Sequence, residues 1–387
     1  MIVTVAPASG SDVGSKDRPS IVLVGGGLPH LHCLRRLRRE HLEHASVTVV
    51  SPSATIVYSG MLPGWMAGAY ALDECRVPIE ALARAAGAAF IEGKVIAVDA
   101  GQRRATLADG RAIEYDVLSL DVGSSIDTTT LTGADAHAIL VRPLETFVER
   151  WTALERRLDV RDSAHVVVVG AGAGGVELAL AARSAFSASP GVRISIVSAS
   201  AEVPGRSGAR LARHLERAGI VVHRGVEAVR IAEASLDLSN GATLPVDAAI
   251  VATGSSAPRW LAGSGLPVDA AGYVRVDPTL RVLGRPEIFA SGDCASIEGR
   301  PQPRSGVHAL RMGDVLLENL RNSVYGRTLA PYVPRQRALH LMRAGDGYAV
   351  GDWGAMTFEG RWVWRWKDRI DRRFIAQHTP ARSLRGD

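Results

Sequence analysis

The stretch that decides the fold is Val166-Val-Val-Val-Gly170-Ala-Gly172-Ala-Gly-Gly175-Val-Glu177-Leu-Ala179. A run of valines predicts a buried strand, and the GxGxxG that follows is typical of a phosphate-binding turn leading into a helix. Gly170 permits the tight turn, Gly172 lets backbone N–H groups approach a pyrophosphate, and Gly175 lets the helix pack closely on its strand. A glycine-rich turn of any α/β protein is the alternative. The context described below favours a dinucleotide, with its pyrophosphate at the helix N-terminus.

An earlier stretch has the same pattern. Ile21-Val-Leu-Val-Gly25-Gly26-Gly27-Leu-Pro-His30 leads into leucines at helical spacing and then into Ser46-Val-Thr-Val-Val50-Ser51. This predicts a second strand, glycine turn, helix and strand unit. His30 stands at the third glycine position, so either the helix lies farther from its strand or the imidazole turns outward toward the ligand.

The two halves continue in parallel. An Asp109-Gly110 turn in the first and an Asn240-Gly241 turn in the second each precede a hydrophobic strand, and these strands end in Gly-Ser-Ser at Gly123 and Gly254. The recurrence predicts an internal repeat of one dinucleotide-binding architecture. Two modules imply two dinucleotides, and a hydride passed between them is the simplest chemistry.

The predicted fold class is α/β, with two Rossmann-like dinucleotide-binding domains of three layers around parallel sheets and a small C-terminal α+β region. The second domain is expected to be inserted in the first. The predicted divisions are a disordered leader at 1–19, an FAD-binding domain at 20–149 and 263–326, an NAD(P)-binding domain at 150–262, and a C-terminal region at 327–387.

Composition narrows the function classes. The chain has no uninterrupted apolar run of about 18 residues and no basic start followed by an apolar run, which predicts no membrane span, no secretory signal and a cytoplasmic location. Its net charge of +5 implies little by itself, and no nucleic-acid partner is expected. Cys33, Cys75 and Cys294 are widely spaced, which predicts neither a metal site nor a disulfide framework, and excludes a close redox dithiol.

The two turns, the Ala252-Thr253-Gly254 strand end and Ser291-Gly292-Asp293-Cys294-Ala295 resemble the two-dinucleotide-binding-domain flavoproteins, the pyridine nucleotide-disulfide oxidoreductase superfamily. Within this superfamily, the chain resembles the type II NADH dehydrogenase branch, because it lacks the active-site cysteine pair. Tyr58-Ser59-Gly60-Met61-Leu-Pro-Gly64-Trp65 and Trp362-Val-Trp-Arg-Trp-Lys-Asp-Arg-Ile-Asp-Arg-Arg-Phe374 are similar to a subgroup found fused ahead of selenide, water dikinase. The resemblance covers roughly residues 20 to 375.

This resemblance implies FAD in the first module and NAD(P)H, as substrate, in the second. Gly25 and Gly27 would face the FAD pyrophosphate, Asp293 would bind the ribityl chain or a nearby phosphate, and the helix starting before His308 would stabilise the reduced flavin. The predicted cofactor-binding residues are Gly25, Gly26, Gly27, His30, Ser51, Ser59, Gly60, Met61, Gly123, Gly170, Gly172, Gly175, Ser198, Gly254, Gly292, Asp293 and Val307.

The choice between NADH and NADPH stays open. Ser51 and Ser198 stand where the usual fingerprint has a carboxylate that binds ribose hydroxyls. A serine can bind a ribose, but it does not favour NADH, and Arg206 or Arg210 could meet a 2′-phosphate.

Two residues are candidates for catalysis. The resemblance places Glu177 near the nicotinamide and the flavin, with a glutamate that merely benefits from the helix dipole as the alternative. His308 is the candidate donor to reduced flavin, with a packed histidine as the alternative. Cys294 is expected to pack a turn.

The end of the chain has the composition of an interfacial helix. Trp362, Trp366, Ile370 and Phe374 recur every four residues, and residues 361–374 hold six Arg or Lys against two Asp, a net +4. This pattern predicts a helix lying on a membrane with its aromatic face inward. Docking on the protein's own body and a homodimer interface are the alternatives.

These observations predict an FAD-dependent NAD(P)H oxidoreductase that delivers electrons to a quinone or another small acceptor, peripherally on the inner face of the cell membrane. A soluble flavoprotein reductase linked to selenium or sulfur metabolism is one alternative. A non-catalytic nucleotide-binding sensor is the other, because His30 and Ser51 depart from the fingerprint.

Overall fold

The computed structural model describes residues 18–159, 161–301, 303–335 and 337–380. The leader predicted at 1–19 therefore lies outside the described residues, except for its last two. The helices are α1 Leu28–Leu37, α2 Leu62–Met66, α3 Ile79–Ala85, α4 Ala134–His137, α5 Leu144–Leu158, α6 Ala173–Ala185, α7 Gly208–Arg217, α8 Arg259–Gly263, α9 Gly306–Val324 and α10 Arg361–His378.

The described residues also form 26 β-strands. Those of the first segment are β1 Ser20–Val24, β2 Ser46–Ser51, β3 Ile56–Val57, β4 Arg76–Val77, β5 Ala89–Glu92, β6 Val95–Asp99, β7 Arg104–Leu107, β8 Ala112–Glu114, β9 Val117–Leu120 and β10 Ser125–Ile126. The next are β11 Ala138–Leu140, β12 Ala164–Val169, β13 Val192–Ser198, β14 Val221–Arg224, β15 Ala228–Ile231, β16 Ser235–Leu238, β17 Thr243–Pro245, β18 Ala248–Val251 and β19 Ser255–Ser256. The last are β20 Val274–Val276, β21 Arg281–Val282, β22 Arg285–Ala290, β23 Ala295–Ile297, β24 Leu339–Arg343, β25 Ala349–Trp353 and β26 Met356–Gly360.

The first large sheet has eight strands in the order β23-β20-β21-β22-β9-β1-β2-β5. Its centre is parallel, and helices α1 and α9 pack together on it. The strands β20 to β23 come from beyond the second module, so the chain returns to complete this sheet. Val22 and Leu23 of β1 are 1% exposed, which explains why this strand is apolar from Ile21 onward.

The second large sheet has five parallel strands in the order β11-β18-β12-β13-β14. Val166, Val167 and Val168 of β12 are 0% exposed, as expected for a strand covered on both faces. Strand β11 joins this sheet before the boundary predicted at residue 150. The two sheets confirm the predicted pair of Rossmann-like domains, the second inserted in the first.

The two modules are joined by the strand ends that the repeat identified. Ser125 of β10 pairs with Ser256 of β19 in an antiparallel ladder, so the two Gly-Ser-Ser segments meet each other. The C-terminal region adds the antiparallel sheet β24-β25-β26 and the helix α10. Within the described residues, no helix is both long and apolar enough to cross a bilayer.

Candidate functional site

The first glycine turn follows β1 and leads into α1. Gly25 has a φ of +96°, and a Cβ there would collide with the carbonyl group of Asp121. The Gly27 N–H donates to that carbonyl at 3.2 Å, and α1 starts directly after Gly27. Only glycine fits Gly25, and the turn presents the N-terminus of α1 as the fingerprint requires.

His30 stands at the third glycine position, and its side chain points into the protein. Its imidazole is 0% exposed, and Nδ1 donates to the carbonyl oxygen of Gly25 at 2.8 Å. Because a carbonyl can only accept, Nε2 carries no proton and accepts from the Ser119 hydroxyl at 2.8 Å. Burial lowers the pKa of His30 to about 4, although the bond to Gly25 opposes this. The ring therefore turns inward, away from the ligand side.

Asp121 lies beneath the same turn, at the end of β9. Asp121 is 2% exposed, and its Oδ2 accepts a hydrogen bond from the backbone N–H of His30 at 3.0 Å. Its other oxygen occupies the place that a Cβ on Gly27 or on Gly292 would need. Burial raises the pKa of Asp121 to about 8; the His30 N–H opposes this rise and the charge of Asp293 adds to it.

Two hydroxyl groups near this turn lack a partner among the described residues. Ser51 ends β2 and is 0% exposed, and its Oγ makes no hydrogen bond. Ser291 precedes the Gly292 turn, and its Oγ is likewise buried and unpaired. Buried polar atoms are normally satisfied, so unpaired hydroxyls at strand ends point to a polar ligand.

The Gly292 turn packs against the first glycine turn. Gly292 has a φ of +65°, and its N–H contacts the Met312 sulfur at 3.2 Å. Asp293 is largely buried and pairs with Arg142 at 3.3 Å. Cys294 is 0% exposed, and burial raises its pKa to about 12, so the thiol stays neutral and packs the turn as expected.

The helix α9 begins beside this turn. Its first residue, Gly306, packs on Leu28 of α1, since a Cβ there would lie 3.1 Å from that side chain. His308 is 6% exposed and its Nδ1 has no partner among the described residues. Burial lowers its pKa, with Arg311 and His340 contributing. His308 is a neutral, largely buried imidazole, and Val307, also a predicted binding residue, lies half-buried in the same first turn.

The second glycine turn repeats the first in its backbone and differs in its surroundings. Gly170 has a φ of +111°, and its Cβ would lie 2.6 Å from the Ala252 carbonyl oxygen. A Cβ on Gly175 would collide with the Gly170 carbonyl, so the close packing expected of Gly175 is present. A Cβ on Gly172 would meet no atom within 4 Å, and this turn is open to solvent.

Some side chains around the second turn already have partners among the described residues, and others do not. Ser198 ends β13, is 5% exposed, and its Oγ accepts the Ser200 N–H at 3.2 Å. Arg210 pairs with Glu359 at 3.1 Å and donates to Thr357, so its guanidinium is engaged with the C-terminal sheet. Of the two arginines considered for a 2′-phosphate, the exposed Arg206 remains. Gly254 is exposed beside the joining ladder, and a Cβ there would meet nothing within 4 Å.

Glu177 lies where the second module meets the C-terminal region. Its Oε1 accepts the backbone N–H of Arg343, in β24, at 2.6 Å. Burial raises the pKa of Glu177 to about 7, while the positive charge of Lys367 and the Arg343 bond oppose the rise. A carboxyl of this kind can hold or release a proton at neutral pH.

Lys367 connects α10 to the loop that contains Ser59, Gly60 and Met61. Its Nζ donates to the Gly60 carbonyl at 2.6 Å and to Asp371 at 2.7 Å, and its side chain is 8% exposed. The loop's Met61 is 0% exposed, whereas Ser59 is exposed. The bond from Lys367 to the Gly60 carbonyl holds α10 on this loop, and the ion pair with Asp371, which lies within α10, leaves neither buried charge unpaired.

The faces of α10 differ from the prediction at one position. Trp362, Trp366 and Ile370 point outward, with 55%, 38% and 39% exposed. Phe374 was placed on the same stripe, and this is wrong: it is 7% exposed and stacks on Tyr58 with the ring centres 4.3 Å apart. The outward face is a ladder of tryptophans, and the inward face holds Lys367.

Residues 19–313 match the family model described as pyridine nucleotide-disulphide oxidoreductase. The chain belongs to this family. Relatives include an NADH dehydrogenase-like protein of Mycobacterium tuberculosis, 27% identical over 81% of this chain and 78% of that protein. Another is the demethylphylloquinone reductase NdbB of Synechocystis, 24% identical over 84% of this chain and 85% of that protein.

Solved structures share the fold of this pyridine nucleotide-disulphide oxidoreductase. NDH2 from Plasmodium falciparum, in complex with NADH, superposes with a TM-score of 0.79 at 15% identity, covering 92% of this chain and 97% of that one. The sulfide:quinone oxidoreductase of Aquifex aeolicus gives a TM-score of 0.78 at 18% identity, covering 95% and 93%. Both confirm the two-domain α/β fold.

Family membership makes the chain an NAD(P)H oxidoreductase with FAD as cofactor, and the first site fits that group. The turn at Gly25 supplies the helix N-terminus for a pyrophosphate, and the unpaired hydroxyl of Ser51 lies at the strand end where a ribose binds. When bound, FAD accepts a hydride and passes on its electrons.

Three groups of this pyridine nucleotide-disulphide oxidoreductase were missed by sequence reasoning. They are Asp121, Arg343 and Lys367, each brought to its site by residues far away in the chain. A usable signal existed for Asp121, because the repeat aligns it with Ala252. For Lys367, the signal was its spacing of four from Asp371.

Proposed function

We propose that the chain catalyses NAD(P)H:quinone oxidoreduction at a membrane surface. One observation carries the proposal: the helix that presents Trp362 and Trp366 outward also holds, through Lys367, the Gly60 loop predicted to lie on the flavin. A membrane-soluble acceptor would thus approach one face of α10, and the flavin would lie near the loop held by its other face. The alternative occupants of the outward face are a second copy of the chain and a soluble partner.

The cysteines support direct transfer from flavin to acceptor. Cys33 and Cys294 are buried in different elements, and burial raises the pKa of both thiols. A neutral, buried thiol is a poor nucleophile, so a disulfide relay has no competent donor at these positions. The quinone named by the demethylphylloquinone reductase relative is consistent with this route.

Glu177 is proposed to hold the proton that the reaction consumes. The balanced reaction is NAD(P)H + H⁺ + quinone → NAD(P)⁺ + quinol, so one proton must be delivered in addition to the hydride. With a pKa raised to about 7 and Lys367 contributing positive charge, Glu177 can exchange a proton at neutral pH. His308 is proposed to approach the flavin from α9 as a neutral imidazole.

The test is anaerobic spectroscopy of the purified holoprotein. NADH or NADPH should bleach the flavin absorption, and a short-chain ubiquinone should restore it much faster than anaerobic buffer. Failure of both nucleotides to bleach the flavin contradicts the proposal. Bleaching without reoxidation by quinone favours the soluble acceptor instead.

Membrane attachment has its own test. Replacing Trp362 and Trp366 with serine removes the outward aromatic surface without touching Lys367, so flotation with anionic lipid vesicles should be lost while the unfolding temperature changes by a few degrees at most. Val333→Ser is the matched control, because Val333 is 67% exposed outside α10. Undiminished flotation of the double variant contradicts attachment through this face.

A further inference from the structure

Asp121 is a position at which the two halves of the repeat differ. In the first half, the carbonyl beneath Gly25 belongs to Asp121; in the second half, the carbonyl beneath Gly170 belongs to Ala252. The backbone amides agree as well, since Asp121 donates to Val24 and Ala252 to Val169, both at 2.9 Å. The two residues are therefore equivalent, and the carboxyl group is an addition of the first half.

This carboxyl group lies against the part of the turn that receives the pyrophosphate. One oxygen accepts the third N–H of α1, from His30, at 3.0 Å. The other touches Gly27 and Gly292 so closely that neither could carry a Cβ. No equivalent group fills the second turn, where a Cβ on Gly172 would meet open space.

The sign of the charge at this place affects ligand binding. A helix N-terminus attracts an anion, and a carboxylate placed there would both cancel that attraction and repel the pyrophosphate. A neutral carboxyl group of the same shape keeps its hydrogen bond to His30 and does neither. We propose that Asp121 is a proton-holding residue of the first site, neutral while FAD is bound, so that deprotonation of Asp121 weakens FAD binding.

The neighbouring groups leave Asp121 as the titrating group. On α1, burial lowers the pKa of His30 to about 4 and raises that of the Cys33 thiol. On the adjoining turn, burial raises the pKa of Cys294 to about 12, and Asp293 is paired with Arg142. Asp121 itself, with a pKa raised to about 8 by burial, changes charge in the range where His30, Cys33 and Cys294 do not.

The expected pH dependence follows from linkage. If FAD binds the protonated form, its dissociation constant is constant below pH 8 and rises by about tenfold per pH unit above it. Each FAD released in that range is accompanied by release of up to one proton. The inference rests on FAD at the first site, as the proposed function does, but it makes no claim about the electron acceptor.

The experiment measures flavin release from the holoprotein between pH 6.5 and 9.5. A dilution series at each pH, with free FAD read from its fluorescence, gives the dissociation constant. The variants are Asp121→Asn, which keeps the shape without the charge, and Asp121→Ala, which carries the residue of the second half. Asp109→Asn is the matched control, because Asp109 is a half-exposed carboxylate in a hairpin away from the turn.

Wild type and Asp109→Asn should lose affinity steeply above pH 8, whereas Asp121→Asn should hold FAD equally at pH 7 and pH 9.5. If Asp121→Asn does not fold, Asp121→Ala gives the same comparison. Equal pH dependence in the wild type and either Asp121 variant overturns the inference, as does a flat wild-type profile. A wild type that binds no FAD at any pH overturns the proposed function as well.

Discussion

The two glycine turns share a backbone and differ in what fills it. Beneath the first, His30 and Asp121 occupy the space between helix and strand; beneath the second, Gly175 and Ala252 leave the helix packed directly on the strand. The first turn is largely enclosed by Gly292 and α9, whereas Gly172 and its neighbours are exposed. An enclosed site suits a cofactor that stays bound, and an open one suits a substrate that enters and leaves at every turnover.

The largest effect is expected when the second turn is given the residue of the first. Gly175→His places a Cβ against the Gly170 carbonyl with no serine positioned to receive the ring, so we expect a loss of about 3 kcal/mol or more of folding free energy and no reduction of the flavin by NAD(P)H. Thermal unfolding and stopped-flow absorption measure the two effects.

Gly174→Ala is the control for that variant. A Cβ on Gly174 meets nothing within 4 Å and lies in α6, so the unfolding temperature should stay the same or rise. If Gly175→His were as stable as Gly174→Ala, the close packing assigned to the second turn would be wrong.

The next effect comes from emptying the first turn. His30→Ala leaves a cavity and deprives both the Ser119 hydroxyl and the Gly25 carbonyl of a partner, so we expect a loss of about 2–4 kcal/mol. Urea unfolding of the holoprotein and its flavin content are the measurements.

His41→Ala provides the matched comparison. His41 is an exposed histidine in the segment that follows α1, so its removal should cost less than about 0.5 kcal/mol. Equal losses in the two variants would show that His30 is not special to the turn.

The smallest effect on stability, and a specific one on kinetics, is expected at Glu177. The variant Glu177→Gln keeps an acceptor for the backbone N–H of Arg343, so the free energy of unfolding should change by less than about 1 kcal/mol. Without a titrating group, quinone turnover should fall by about 100-fold or more and lose its inflection near pH 7. The pH profile of kcat is the measurement.

The position equivalent to Glu177 on the first helix is His32, since each stands seven residues after the first glycine of its turn. His32→Gln should leave the pH profile of turnover unchanged. A Glu177→Gln enzyme with the wild-type profile would remove this glutamate from the proton step.

The sequence alone predicted the features that depend on residues close together in the chain. The close packing of Gly175 follows from the GxGxxG spacing of Gly170, Gly172 and Gly175, and the structure has it. The orientation of His30 did not follow, because the partner of its Nε2, the Ser119 hydroxyl, lies 89 positions away in the chain. The sequence left two possibilities, a helix farther from its strand or an imidazole turned outward. The ring instead turns inward, where Nδ1 donates to the Gly25 carbonyl and Nε2 accepts from Ser119.

The error on α10 has a geometric cause. A spacing of four residues advances 400° rather than 360°, so three such steps carry Phe374 about 120° around the helix from Trp362. Phe374 therefore shares its face with Lys367 and Asp371, and it packs on Tyr58. A strict 3.6-residue period would have separated the tryptophans from it.

Groups such as Arg343 and Asp121 could not be assigned from local pattern. Arg343 reaches Glu177 through its backbone N–H, a contact that no side-chain motif encodes. Asp121 ends an ordinary apolar strand, and its carboxyl becomes unusual only when Gly27 and Gly292 close over it. Tertiary contacts, rather than residue type, give these positions their chemistry.

The ladder between β10 and β19 has a consequence for symmetry. Ser125 and Ser256 stand two residues after Gly123 and Gly254, so equivalent positions of the repeat pair with one another, antiparallel. This is the geometry of an isologous contact, in which a local twofold axis relates two copies of one surface. The chain thus resembles a homodimer whose halves became covalently joined and then diverged. One half now has an enclosed turn and the other an open one.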